Sequence, residues 1–245
     1  MKTSIKLTIA AVLLMVTSMV FYDLMLRKSF LSGIYKDQFN DYITLDFKDF
    51  NSIKLGASTA VNIIVKQGAF SVRIDPVAKE YTIVKQVGKT LYIDTAFPGG
   101  FLNARGAYVM TITCPDLKRF DADAIYMAGD RQITDTLASE DFKWRPTIIS
   151  GFTIDSLALT ETHASSIILQ QNNIGAFTAT VGLAKGSRSD LTILEDNQLK
   201  KASLIILNRS QLQLREAAIQ KLDYQIADSA KFILTGAATK SLIKK

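Results

Sequence analysis

The sequence has few of the residues that form disulfides or bind zinc. Its 245 residues include one cysteine, Cys114, and one histidine, His163. A single cysteine excludes an intrachain disulfide, and with no second histidine and a distant cysteine no local spacing assembles a zinc site. Cys114 lies in an apolar alternating run typical of a buried thiol, and His163 takes a turn position. We therefore predict no metal, no cofactor and no Ser-His-Asp triad.

The sequence also has little excess charge in most of its length. It carries 29 basic and 23 acidic residues, a net charge of +6. Residues 1–28 hold four of the basic and one of the acidic residues, so 25 basic and 22 acidic residues remain. No basic stripe interleaved with aromatic residues is present, and no glycine-rich loop follows a strand and opens a helix. These absences predict that nucleic acid is not a partner.

One long uncharged run stands near the N-terminus. Residues 7–22 contain no charged side chain, and basic residues lie on both sides of them. The run is longer than a signal-peptide core of roughly 7–15 residues and shorter than a spanning helix of roughly 17–25. Val16-Thr17-Ser18 is a mediocre cleavage site, and the apolar character resumes after Asp23. We predict an uncleaved signal-anchor over residues 1–28 that contacts the membrane through residues 7–26.

Two further segments follow this anchor. Residues 29–44 form a predicted linker, and residues 45–245 form the predicted main domain. The domain lies outside the cytosol if the N-terminus stays inside, which the flanking basic residues favour slightly. Cleavage of the first segment is the alternative, and it would give a secreted protein. Both alternatives place the domain outside the cytosol.

The main domain reads as short strands. From Ile43 onward, runs rich in β-branched and aromatic residues alternate with turn residues such as Pro98-Gly99-Gly100. No window of helical length between Ser29 and Lys245 shows a sustained helical pattern of apolar residues. The domain is therefore predicted to be all-β.

A repeat in the second half refines this fold class. Four segments share a small residue followed by apolar residues two and four positions later, with offsets of 24, 21 and 20 residues. An alternating segment precedes each, for example Val181-x-Leu183. Two short strands per repeat cannot bury their inward side chains alone, whereas stacked repeats form a continuous core. We predict a right-handed parallel β-helix-like solenoid with rungs of about 20–24 residues. The four segments are Ser165-x-Ile167-x-Leu169, Ser189-x-Leu191-x-Ile193, Ser210-x-Leu212-x-Leu214 and Ala230-x-Phe232-x-Leu234.

Three residues are weak candidates for ligand binding. Asp121 and Asp123 share one face of a predicted strand, about 6–7 Å apart along the chain. Paired carboxylates suit glycosidic acid/base chemistry or calcium binding, although a solvated acidic face explains them equally. Trp144 is the only tryptophan and offers a stacking surface, although ordinary packing explains it too. No catalytic residue is predicted.

The middle of the chain resembles a known family. The residues that carry the resemblance include Phe50-x-x-Ile53, Thr90-Leu91-Tyr92-Ile93 and Pro115-x-Leu117. Their spacing is similar to that of the bacterial auto-transporter adhesin, head GIN domain family, over roughly residues 45–235. The resemblance implies an exported β-helix-like fold in the cell envelope and an adhesin-like role. It offers no catalytic residues to transfer.

These observations converge on a function class. We predict an anchored or exported cell-envelope protein with a non-catalytic β-helical domain for binding, adhesion or structure, whose partner is an envelope glycan or a protein. A carbohydrate-active enzyme using Asp121 and Asp123 is one alternative. An envelope-sensing module is another, and the oligomeric state stays open.

Overall fold

The computed structural model describes residues 2–33, 36–98, 108–136, 146–236 and 238–239. A long helix, α1 (Thr3–Ser32), opens the chain. Its 30 residues, at about 1.5 Å each, span about 45 Å, more than the ~30 Å hydrocarbon core of a bilayer. None of its residues is buried, so its apolar side chains are exposed on every face. The helix ends where Gly33 takes a left-handed conformation and donates its N–H to the Phe30 carbonyl.

The chain divides into two compact units, Met1–Asp41 and Tyr42–Lys245. Helix α1 continues past residue 28 into the predicted linker, and the first strand begins at Ile43. The predicted limits of the anchor, linker and domain stay predictions.

The second unit consists mostly of β-strands. A 3-10 turn (Ala78–Glu80) is inserted between two of them. The strands are β1 (Ile43–Leu45), β2 (Ser52–Leu55), β3 (Ile63–Gln67), β4 (Ser71–Ile74), β5 (Thr82–Val87), β6 (Thr90–Phe97), β7 (Met110–Cys114), β8 (Arg119–Ala122), β9 (Ile125–Ala128), β10 (Arg131–Thr134), β11 (Thr147–Ser150), β12 (Thr153–Glu161), β13 (Ser166–Gln170), β14 (Asn173–Val181), β15 (Asp190–Ile193), β16 (Gln198–Ile206), β17 (Gln211–Arg215), β18 (Ala218–Ile226) and β19 (Lys231–Thr235).

These strands form two open sheets of mixed direction. The order in the first sheet is β1-β4-β7-β3-β11-β13-β15-β17-β19. The order in the second sheet is β10-β9-β6-β2-β8-β12-β14-β16-β18, with β5 paired to β6. Antiparallel pairs occur only in the earlier part of the described chain: β1 with β4, β4 with β7, β5 with β6 and β9 with β10. From β11 onward, every strand pair is parallel.

The parallel strands follow the sequence repeat. Successive strands alternate between the two sheets, so each rung adds one strand to each sheet. In the first sheet Ile167 pairs with Leu191, Leu191 with Leu212, and Leu212 with Phe232. These are the residues that the repeat aligned, so the predicted register of these four segments is confirmed. The physical reason is that the inward side chain of each rung must stack on its equivalent in the next.

The alternating segment predicted at Val181-x-Leu183 was placed too late in the sequence. Val181 pairs with Glu161 and Ile206 at the end of β14, and Leu183 lies beyond the strand with 53% of its surface exposed. Gly182 has a φ of +79° and turns the chain away from the sheet after Val181. The alternating segment of this rung therefore ends at Val181, two residues earlier than the sequence indicated.

The long strands of the second sheet share one position at which their pairing is interrupted. The pairing between neighbouring strands is interrupted there, while pairs on both sides are kept. In β14 this residue is Gly175, where an added Cβ would lie 2.6 Å from the carbonyl oxygen of Asp155. Only glycine permits so close an approach. The equivalent residues are Asp155, Gly175, Lys200 and Gln220.

Buried asparagines hold two consecutive corners together. Asn172 donates through Nδ2 to Asn197 Oδ1 at 2.9 Å and to the Ile149 carbonyl at 3.0 Å. Asn197 donates in turn to the Leu169 carbonyl at 2.8 Å. Both asparagines are at least 99% buried, so their amides satisfy backbone groups that would otherwise lack partners. Above them the equivalent corner residue is the buried Ala217.

Candidate functional site

The two predicted aspartates do lie on one side of β8 and its continuation. Burial alternates from the buried Phe120 through Asp121 to the buried Ala122, and Asp123 is again partly exposed. Asp121 accepts a 2.7 Å hydrogen bond from Nε of Arg119 through Oδ2. This pairing raises the pKa of the Arg119 guanidinium through the hydrogen bond and the charge of Asp121. Asp121 is therefore neutralised by a residue of its own strand.

Asp123 has a different partner. Its Oδ1 lies 2.6 Å from Nδ1 of His163, the only histidine, in the turn between β12 and β13. The same oxygen accepts the backbone N–H of Ala124 at 2.8 Å. Asp123 and His163 are 40 residues apart in sequence, so local spacing gave no sign of the pair. The two predicted aspartates thus have two different partners, one each, and among the described residues no side chain forms a hydrogen bond with both.

The turn around His163 is tied to neighbouring segments by hydroxyl groups. Ser58 donates through Oγ to the Ala164 carbonyl at 2.8 Å, and its own N–H bonds the Asp123 carbonyl at 2.8 Å. Ser189 donates to the His163 carbonyl. Each of these bonds satisfies a backbone carbonyl, which is the work of a structural corner. Within the described residues, no group of three or more His, Cys, Asp or Glu side chains could hold a metal ion.

A buried acid, Glu161, is the residue that sequence reasoning missed. It occupies the last inward position of β12, between Ala122 and Val181, and has no exposed surface. Burial, together with the charge of Asp190, raises the pKa of Glu161 to about 8, opposed by a hydrogen bond from Ser165. Its Oε1 has no hydrogen-bond partner in the described structure. No ligand can reach this side chain, so its effect is on stability.

One open surface feature of the described chain is a groove of about 420 Å³. It forms because β8 begins opposite Ala158, while β12 begins five residues earlier, at Thr153. The first residues of β12 therefore pair with β14 on one side and have no strand on the other. The turn before β8 forms the opposite wall. The lining residues are Pro115, Asp116, Lys118, Thr153, Ile154, Asp155 and Ser156.

One side chain joins the two walls of this groove. Gln67, at the end of β3, accepts the backbone N–H of Thr153 at 3.1 Å through Oε1. Its Nε2 donates to the Pro115 carbonyl at 3.0 Å. A single amide thus fixes the spacing between the start of β12 and the turn before β8. Gln67 links the two walls by hydrogen bonds, whereas no strand pair joins them.

The chemistry of the groove is mixed. Thr153 and Ser156 supply hydroxyls, Asp116 and Asp155 carboxylates, and Lys118 an ammonium group. Lys118 and Asp116 lie 3.8 Å apart and are both solvent-exposed, so the pair contributes little to stability. Hydroxyl, carboxylate and ammonium groups beside an aliphatic side chain can accept and donate hydrogen bonds to a polar ligand.

Trp144 and Cys114 are the other residues that the sequence analysis considered. Trp144 lies outside the described residues. Cys114 is buried in β7, as predicted, and burial with the charge of Asp116 raises the pKa of its thiol to about 12. A thiol in that state is not a nucleophile at neutral pH.

Solved structures resemble this chain at low sequence identity. No family model matches the chain, and no curated protein matches it. Among solved structures, similar chains include a proposed lipid-binding protein of Parabacteroides distasonis (12% identity, TM-score 0.37, 80% of this chain and 94% of that chain). A proposed adhesin of Bacteroides fragilis is similar at 15% identity and a TM-score of 0.35, over 79% of this chain and 97% of the other. A proposed adhesin of Parabacteroides merdae has 12% identity and a TM-score of 0.32, over 79% and 92%. At these TM-scores the similarities carry no argument about fold or function.

Proposed function

We propose that this chain is a membrane-anchored protein whose β unit binds a polar ligand outside the cytosol, without catalysis. The observation that carries the binding role is the groove between the start of β12 and the turn before β8. The ligand class that fits it best is a hydroxyl-rich envelope glycan. A protein partner is the second candidate, because the unpaired side of β12 could accept an extended segment.

The anchoring part of the proposal rests on helix α1. A helix of 30 residues with no buried side chain cannot be the core helix of a folded domain, since such a helix buries one face. It is long and apolar enough to cross a bilayer. A cleaved signal sequence has the same character, and then the β unit is secreted. Either way the β unit works in or beyond the cell envelope.

The non-catalytic part of the proposal rests on the two aspartates. Acid/base hydrolysis of a glycoside needs two carboxyl groups on opposite sides of one bond. Asp121 is paired to Arg119 and Asp123 to His163, so each carboxylate already has a partner. A carbohydrate-active enzyme using this pair remains the competing proposal, because the residues lie on one side of the strand.

We also propose a β-helix-like solenoid as the finer description of the fold. Parallel pairs from β11 to β19, one strand per sheet and rung, support a right-handed parallel β-helix-like end to the molecule. The membership in the head GIN domain family is supported only by the spacing of apolar residues in the sequence. The signalling alternative has one point in its favour, namely the helix.

The binding proposal is tested with the full chain in detergent micelles on an array of bacterial envelope glycans. We expect retention of at least one glycan class, with no change in the mass of the released glycan. Asp155→Asn should reduce binding about tenfold or more, because it removes a charged acceptor from the groove. The exposed Asp130, in the turn between β9 and β10, gives the matched control Asp130→Asn.

The outcomes separate the candidates. Equal binding by the wild-type chain and Asp155→Asn would contradict the groove as the site. Cleavage of a glycan that is lost in Asp123→Asn would favour the enzyme.

A further inference from the structure

Among the described residues, the inward side chains of the last rung are only partly buried. Leu204 in β16 is 1% exposed, whereas its neighbour Tyr224 in β18 is 49% exposed. Leu212 in β17 is fully buried, whereas Phe232 in β19 is only partly buried. The other inward side chains of the last rung are also less buried than their equivalents in the rung before. Together they form an apolar end face. Its residues are Ile219, Leu222, Tyr224, Ile226, Phe232 and Leu234.

The backbone at this end face is also open. Strands β18 and β19 are the last strands of the two sheets. Each therefore has one side without a strand neighbour in the described structure, where N–H and C=O groups point outward along the stack. Of the described residues after β19, only Ala238 is buried. An open edge next to an apolar face is a surface that another strand can extend.

The charges on β18 indicate which strand would extend the sheet at this edge. Lys221 and Asp223 are exposed, lie two residues apart and so point to the same outer side of the sheet. Neither forms an ion pair with another described residue. When a second β18 is placed antiparallel with Leu222 opposite Leu222, each Lys221 lies opposite Asp223 of the other copy. The pattern is thus complementary to itself under two-fold rotation, and that rotation brings the two apolar end faces together.

We propose that the end face formed by β18 and β19 is an interface with a second copy of this chain. The two copies meet end to end, β18 pairs antiparallel with β18, and two Lys221–Asp223 contacts set the register. The apolar side chains of the last rung then become buried, as their equivalents in the neighbouring rung are.

The test is the association of the full chain in detergent micelles, measured by analytical ultracentrifugation. The wild-type chain should be dimeric. Lys221→Glu places two carboxylates opposite each other in both symmetric pairs and should weaken association about tenfold or more. The double variant Lys221→Glu with Asp223→Lys restores opposite charges and should restore the dimer. Lys66→Glu, on the exposed face of β3, is the matched control and should leave association unchanged.

Each outcome decides the matter. A wild-type chain that stays monomeric at all accessible concentrations overturns the proposal, and then the chain's own residues after 239 or a different partner cover the end face. A Lys221→Glu variant that associates as strongly as the wild type also overturns it, because the dimer then forms elsewhere, for example through helix α1. Loss of association in Lys221→Glu without recovery in the double variant would contradict the predicted register.

Discussion

Inner and terminal rungs share one sequence pattern and differ in what surrounds them. Leu212 and Phe232 occupy the same inward position two strands apart in the chain, yet only Leu212 is fully buried. The same contrast separates Leu204 from Tyr224. The sequence pattern therefore specifies where a side chain points, and the neighbouring rung decides how much that side chain stabilises the fold. This is the nearest-neighbour behaviour of stacked repeats.

The largest effect is expected from truncating the inner member of such a pair. Leu212→Ala should lower the free energy of unfolding by about 3 kcal/mol, because it leaves a cavity between two rungs. Phe232→Ala, at the terminal rung, should cost about half as much despite removing a larger side chain. Urea denaturation of both variants in dilute solution checks this. A larger loss for Phe232→Ala would mean that the terminal rung is covered.

The corner asparagines extend the comparison from apolar to polar groups. Asn197→Ala removes the acceptor of Asn172 and leaves the Leu169 carbonyl buried without that donor. We expect a loss of about 2 kcal/mol. Asn173→Ala is the control, because Asn173 is exposed one residue after Asn172 and should change stability by less than about 0.5 kcal/mol. The thermal unfolding midpoint of Asn197→Ala should lie below that of Asn173→Ala. Equal midpoints would contradict the stabilising role of the corner asparagines.

Glu161 breaks the inner pattern, because it places an acid where neighbouring rungs have aliphatic residues. Its pKa rises from 4.5 to about 8 on folding, so the folded state keeps a proton that the unfolded state releases. Stability should be greatest below pH 4.5 and fall as the pH rises toward 8. Glu161→Gln keeps the shape without the charge and should gain on the order of 2 kcal/mol at pH 8.

The pH dependence supplies the measurement for this prediction. Denaturation between pH 5 and pH 8 should show a smaller slope for Glu161→Gln than for the wild-type chain. Identical slopes would show that the carboxyl group is not buried as described.

The partly exposed carboxylate outside the stack should matter least. Asp123→Asn keeps an acceptor near His163 and removes the charge, so the loss should stay below about 1 kcal/mol. The expected result is a midpoint of unfolding close to that of the wild type. A loss of stability as large as that of Asn197→Ala would show that the Asp123–His163 contact stabilises the fold as much as the asparagine corner does.

The sequence predicted the regular part of this molecule far better than its exceptions. Ser165 and its equivalents are spaced by the rung length, and side chains that stack on one another leave such a period. The groove depends on Gln67 meeting Thr153 and Pro115, which are remote in sequence and share no pattern. Glu161 was missed because an acid in an aliphatic position has no periodic signature.

The earlier strands were harder to predict for the same physical reason. Their pairs are both parallel and antiparallel, so no single offset relates one strand to the next. The pairing of β2 with β8, for example, joins Ile53 to Phe120 across a long separation in sequence. Alternation shows that such residues point inward, but it does not select their partners.

We propose that helix α1 holds the β unit at a membrane, outside the cytosol. The most direct test is protease treatment of spheroplasts that express the full chain with a tag after residue 245. We expect the protein to stay in the membrane fraction after an alkaline wash. Protease added to intact spheroplasts should remove the tag. A tag that is protected until the spheroplasts are lysed would contradict the account.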